Sequence, residues 1–121
     1  METPNAVAAL AALAQENRLE IFRLLVQAGP GGLAAGQIAE KLSLAPNTLT
    51  FHFDRLRFAG LVTVRRDGRS MIYAARFDAM NGLVSFLTEN CCRGAQECTP
   101  AMVCKPKGVT HEAVSRARRG R

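Results

Sequence analysis

Along most of the chain, apolar side chains recur at intervals of three and four, interrupted once by a β-rich run, and each interruption marks an element. Thr3-Pro4 reads as an N-cap followed by a first-turn proline, opening a helix to about Ala14 with Val7, Leu10 and Leu13 on one face. A second helix, from about Asn17 to Ala28, turns Leu19, Phe22, Leu25 and Val26 inward and leaves Arg18, Glu20 and Arg23 on a solvated face. Gly29-Pro30-Gly31-Gly32 ends it. Leu33 to Leu42 reads as a short helix with Ile38, Ala39 and Leu42 inward, and Ser43-Leu44 as a tight connection.

The stretch from Leu44 to Val62 follows. Leu49, Phe53 and Leu56 form its buried stripe, Asn47, Thr48, Thr50 and Phe51 fall on the opposite face, and Gly60 supplies a left-handed cap. Val62 to Ala75 is then two β-rich runs around Asp67-Gly68, a hairpin signal. Phe77-Asp78 opens a last helix to about Asn90, striped by Met80, Leu83, Val84 and Leu87.

Two short helices joined by a tight turn make a helix-turn-helix, whose second helix enters the major groove of DNA. With a basic hairpin directly after it, the expected fold is a winged helix-turn-helix, mainly α with a small β-hairpin. Short donors and acceptors on the first turns of the second helix are of the kind that reach base edges. A chain of 121 residues has a modest core, and dimerisation is a plausible way to bury more apolar surface.

Charge refines this picture. The net charge is +6, but Lys105, Lys107, Arg116, Arg118, Arg119 and Arg121 against Glu112 put nearly all of it in the last seventeen residues. The high pI is therefore weak support for DNA binding by the folded part. Within the body, Arg55, Arg57, Arg65, Arg66, Arg69 and Arg76 gather with only Asp67 opposing them, on the second helix and the wing. No apolar run approaches the ~20 residues of a membrane span. The N-terminus lacks the basic start of a signal peptide, so a cytoplasmic location is expected. No nucleophile, base and orienting group stand at workable positions, so an enzyme is not expected.

The order Asn17 to Leu25, the helix pair, Thr50-Phe51-His52-Phe53 with Phe58-Ala59-Gly60-Leu61-Val62, and then the hairpin resembles the ArsR/SmtB family of bacterial metal- and metalloid-responsive repressors. The resemblance covers roughly residues 5 to 90. Phe51 departs from it, standing where family members commonly carry a polar or basic residue. It implies a homodimer through the first and last helices, presenting two reading helices to a palindromic operator. It also favours a structural role for Arg18, and for His52 a packing and phosphate-orienting one. The residues expected at DNA are Asn47, Thr48, Thr50, Phe51, His52, Arg55, Arg66 and Arg69.

All four cysteines lie close together at Cys91, Cys92, Cys98 and Cys104. In a cytoplasmic chain such a cluster points to a soft-metal site before a disulfide framework. Adjacent cysteines also make a strained intramolecular disulfide. The spacing is not that of a structural zinc site, and four thiolates closing around zinc would need the tail to fold back. Trivalent arsenic or antimony takes three sulfurs in a pyramid and is selected by soft ligands. The loop from Arg93 to Glu97 is long enough to bring Cys98 back to the pair, leaving Cys104 spare.

In the family, some arsenic-responsive members carry a Cys-x-Cys box before the reading helix; here Leu33 to Gln37 holds no thiol. Zinc-sensing members pair Asp with His along the last helix, which here has Asp78 and no histidine. A third pattern, Asn-Cys-Cys-x5-Cys just after the last helix, is matched by Asn90-Cys91-Cys92 through Cys98.

The expected division is a DNA-binding and dimerisation domain at 1–90, a cysteine-rich inducer segment at 91–104 and a disordered basic tail at 105–121. The expected function is an arsenic(III)-responsive repressor, released from operator DNA when As(III) or Sb(III) binds Cys91, Cys92 and Cys98, with methylarsenite, which needs only two thiols, as a further candidate inducer. Cys91 follows Leu87 by four and so is expected to continue the dimer stripe. The alternatives are a redox-, zinc- or cadmium-responsive repressor of the same fold, and a thiol-rich interaction module that never reads DNA.

Overall fold

The fold is set by how the helix carrying Leu49, Phe53 and Leu56 is seated, because those side chains are 3%, 2% and 0% exposed. The computed structural model describes residues 1–94. In order, the elements are α1 (Thr3–Leu13), α2 (Glu16–Ala28), β1 (Leu33–Ala34), α3 (Ala35–Leu42), α4 (Pro46–Phe58), β2 (Val62–Asp67), β3 (Ser70–Ala75) and α5 (Phe77–Leu87), followed by a 3-10 turn at Cys91–Gly94. The sheet is antiparallel with order β1-β3-β2. Ile21, Leu25, Ile38, Phe53, Leu56 and Leu61, none of them in a strand, are the largest fully buried side chains of the core. The rings of Phe53 and Tyr73 stack at 3.7 Å between centroids, fastening α4 to the wing strand β3. This is the winged helix-turn-helix the pattern predicts.

The end of α4 shows how local sequence enforces the turn into the wing. Gly60 sits at φ +79°, its N–H donates to the Arg57 carbonyl at 2.9 Å, and the Leu61 N–H reaches back to the Leu56 carbonyl at 3.0 Å. Those two bonds are a Schellman cap, and the buried Leu61–Leu56 pair is its usual hydrophobic companion. The hairpin that follows pairs Asp67 with Ser70, so its loop is Gly68-Arg69, one residue beyond the expected Asp67-Gly68. Positive φ at Gly68 without it at Arg69 is the pattern of a type II′ turn.

Several expectations need correction. Leu33 and Ala34 are not helical; they pair with Tyr73 and Ile72 as the third strand. The helix starts after them, where the Gln37 side chain accepts from the Ala34 N–H at 2.9 Å. In α2, Leu19 is 43% exposed, and Ile21 takes its place in the core. Apolar residues cover most of that helix's circumference, so spacing alone does not select the inward arc.

α5 stops at Leu87 rather than Asn90. Thr88 turns its hydroxyl onto the Val84 carbonyl at 2.8 Å, and Asn90 and Cys92 adopt positive φ. Cys91 therefore stands on a separate turn and does not continue the helical stripe. Cys98, Cys104 and the tail at 105–121 lie outside the described residues.

α1 meets the core through Ala6, Ala9 and Ala12, while Val7 and Leu10 face away from it. α5 likewise buries Phe77 and Leu83 but leaves Val84 and Leu87 exposed. The two helices contact one another. Together they present the uncovered apolar side chains expected of a dimer face.

Gly32 makes the third strand possible. It has φ +74°, and a Cβ there would collide with the Tyr73 carbonyl oxygen of β3. Gly32→Ala is therefore expected to destabilise the fold by at least ~1–3 kcal/mol, the cost of a strained left-handed residue before the clash is counted. Urea denaturation measures it; an unchanged midpoint would mean that β1 does not pair with β3 as described.

Candidate nucleic-acid interface

The turn before α4 is built from a left-handed Ser43 (φ +54°) and a bond from the Leu44 N–H to the Ala39 carbonyl at 3.1 Å. Pro46 in the first turn fixes the entry of α4. The outward face then carries Asn47, Thr48, Thr50, Phe51 and Arg55, all exposed, as expected. Thr50 is less available as a reader than its type suggests, because its hydroxyl donates to the Pro46 carbonyl at 3.0 Å. It retains only acceptor capacity toward a base.

His52 is a correction to the expected DNA-facing set. Its side chain is 5% exposed and lies beneath the surface, beside Arg18. Arg18 donates from Nε to the Ala12 carbonyl at 2.6 Å, and its Nη1 lies 3.5 Å from His52 Nδ1. A guanidinium can only donate, so Nδ1 must accept and the imidazole carries its single proton on Nε2. Burial, and then the Arg18 charge, push the His52 pKa below its ordinary value. Arg18 thus joins the end of α1, the start of α2 and the underside of α4. Spacing placed it on a solvated face; only the family resemblance gave it a structural role.

The structure divides the basic cluster. Arg57 pairs with Asp54 at 3.3 Å, Arg65 donates to the Gly31 carbonyl at 3.0 Å, and Arg76 holds Asp78 at 2.9 Å. The bond from Arg76 keeps the Asp78 carboxyl below the usual carboxylate range. Arg55, Arg66 and Arg69 are exposed on α4, on β2 and at the hairpin tip. Helix and wing thus each present exposed cations of the kind that meet phosphates. Phe51 and Arg55 stack, with the guanidinium carbon 5.1 Å from the ring centroid.

Beyond α5, the Cys91 N–H donates to the Thr88 carbonyl at 3.0 Å, and the Cys91 and Cys92 sulfurs are 3.5 Å apart. Cys91 is half-buried and Cys92 exposed. Cys92 is disulfide-bonded. Cys98, the third expected ligand, also lies outside them. Among the described residues, no three of His, Cys, Asp and Glu are grouped to hold a metal ion. No helix among them is long and apolar enough to cross a membrane.

A helix-turn-helix domain family matches residues 13–65. The HTH-type transcriptional regulator YceK of Bacillus subtilis is 39% identical over 67 residues, a match spanning 55% of this chain and 66% of that protein. The transcriptional regulator HlyU of Vibrio vulnificus, a solved structure, is 31% identical with a TM-score of 0.54, covering 72% of this chain and 88% of that one. The homodimeric winged helix-turn-helix DNA-binding domain of Mb0332 from Mycobacterium bovis, described as a possible ArsR-family transcriptional regulator, is 26% identical. Its TM-score is 0.59, over 77% of this chain and 86% of that one.

The buried imidazole makes stability depend on pH. An unfolded His52 takes up a proton near 6.5, while the folded one does so only at lower pH. The unfolded state therefore binds more protons in that window, so stability is full above about 6.5 and falls as pH drops below it. Thermal melts between pH about 7.5 and about 5 are expected to show this fall. His52→Gln, which keeps an acceptor for Arg18, is expected to flatten it. An equally steep fall in that variant would assign the effect to other groups.

Proposed function

The chain belongs to the ArsR family of winged helix-turn-helix transcriptional regulators, and from that premise we propose that it is an arsenic(III)-responsive repressor. It binds operator DNA as a homodimer in the cytoplasm and leaves it when trivalent arsenic, or antimony, is captured by Cys91, Cys92 and Cys98. DNA binding is supported by the outward face of α4, where Asn47, Thr48, Phe51 and Arg55 stand exposed, and by the exposed wing arginines Arg66 and Arg69. Dimerisation through α1 and α5 is supported by Val7 and Leu10 on one helix and Val84 and Leu87 on the other, all more than 40% exposed in the single chain.

The observation that carries the arsenic reading is the pair of sulfurs 3.5 Å apart, one turn beyond α5, which become two thiol ligands once the disulfide at Cys92 is reduced. That separation suits two ligands of one soft ion, since two ~2.3 Å metal–sulfur bonds at a tetrahedral angle span roughly 3.8 Å. Bound to three thiolates, the ion would draw the chain after Leu87 back upon itself. The dimer helices would shift at that end, and with them the spacing of the two α4 helices. Linkage then requires operator DNA to weaken arsenic binding by the same factor that arsenic weakens operator binding.

The disulfide at Cys92 favours a second reading, in which the same thiols respond to oxidation. Two thiols there form a disulfide and give up two protons and two electrons to an oxidant such as peroxide. The sensing segment is shared, but the stimulus differs.

Fluorescence anisotropy of a labelled promoter fragment separates the two. Under reductant, arsenite is expected to release the protein from DNA, at least tenfold in affinity for a coupling of ~1.4 kcal/mol. Release is expected to vanish in Cys91→Ser, Cys92→Ser and Cys98→Ser and to survive in Cys104→Ser. Indifference to arsenite, with release by peroxide that reductant reverses, would replace the arsenic reading by the redox one. A charge on the dimer face, as in Leu10→Asp or Leu87→Asp, is expected to yield monomers by sedimentation and to weaken operator binding. A dimer surviving both changes would place the interface elsewhere.

A further inference from the structure

The outward ridge of α4 carries an aromatic ring among polar readers. Phe51 is 52% exposed, follows Asn47 by four residues and precedes Arg55 by four, so the three side chains share one ridge. A lone exposed phenylalanine would call for no explanation. This one is held from two sides. Its ring meets the buried His52 ring edge-on, with centroids 5.6 Å apart and planes at 61°, and the Arg55 guanidinium lies over it. Both neighbours restrict the ring, while half its surface remains uncovered.

Beside it, the Thr50 hydroxyl has given its hydrogen to Pro46. The centre of the ridge is therefore apolar, although Arg55 beside it is cationic, and Arg66 and Arg69 stand exposed on the wing. A polyanion with an apolar point on its surface is the complement of such a patch. In the DNA major groove that apolar point is the 5-methyl group of thymine.

We propose that Phe51 is a specificity-determining residue that reads one thymine in each operator half-site by packing its ring against the 5-methyl group. Arg55, stacked on the same ring, supplies the adjacent cation toward a phosphate or a base acceptor. This rests on the DNA-binding reading above and names what one position of α4 recognises. It needs no hydrogen bond from Phe51, so the contact separates thymine from uracil, which differ only in that methyl.

The test begins by selecting duplexes from a random-sequence library with the full-length protein under reductant. The tightest duplex is then compared with the same duplex carrying deoxyuridine at the invariant thymines. The wild-type protein is expected to lose about fourfold in affinity for each methyl removed, and about fifteenfold for both half-sites. Phe51→Ala is expected to bind the two duplexes equally, and Phe51→Leu to keep part of the preference.

Equal affinity of the wild type for the thymine and uracil duplexes overturns the inference, with DNA binding left intact. So does a thymine preference that survives in Phe51→Ala. Failure to enrich any duplex overturns the DNA-binding reading itself and this inference with it, leaving the exposed ring to a protein partner.

Discussion

The angle at which α4 is rotated about its own axis decides nearly everything this chain presents to its surroundings. That angle is held by burying Leu49, Phe53 and Leu56 against Ile21, Leu25, Ile38 and the wing. Truncating a buried ring such as Phe53 to alanine costs about 3–5 kcal/mol, a large share of a small domain's stability. A helix turned by one residue, about 100°, would exchange that core for solvent and bury the readers. Core packing and the recognition surface are thus two faces of a single constraint. The stacking of Phe53 on Tyr73 extends it to the wing, so helix and hairpin are positioned together.

Beneath the helix the same constraint is met with polar groups. Arg18 places a charge next to a nearly buried imidazole, an arrangement tolerable only while His52 is neutral and accepts at Nδ1. The guanidinium is compensated at the other end by the Ala12 carbonyl, where α1 finishes. One side chain therefore satisfies a helix terminus and supports the recognition helix. It is also a direct connection between α1, half of the proposed dimer face, and α4.

Which of these features could be read from residues alone follows from how local their causes are. The inward stripe of α4, its glycine cap and the hairpin were legible because each arises within a few residues: a spacing of four and three, a left-handed turn at Gly60, a loop at Gly68. Leu33 and Ala34 were not, since two residues carry no period and become a strand only by pairing with Tyr73 and Ile72. The burial of His52 depends on a partner 34 positions away. The division of the arginines is equally non-local: the Arg65 bond to Gly31 and the salt bridge of Arg76 leave no trace in a count of charges. The cysteine pattern is plain in sequence, but a spacing fixes neither which sulfurs meet nor what they bind.

The end of α5 limits how a ligand on the cysteines can act. At its start the helix is anchored: Phe77 is buried, and the Arg76 N–H donates to the Leu61 carbonyl at 2.8 Å, where β2 begins. At its finish, Val84 and Leu87 are exposed, and the chain leaves through positive φ at Asn90 and Cys92. A contraction of the cysteine turn cannot propagate as a continued helical stripe, because the helix has already ended at Leu87. On the proposed mechanism it acts by pulling on the last turn of α5 across the proposed dimer face, with the anchored end as pivot. Since that pivot is bonded to the first strand of the wing, and α1 is bonded through Arg18 to α4, a changed dimer angle carries helix and wing together. On the proposed mechanism, then, the inducer changes the spacing between two intact DNA-reading units rather than the shape of either one.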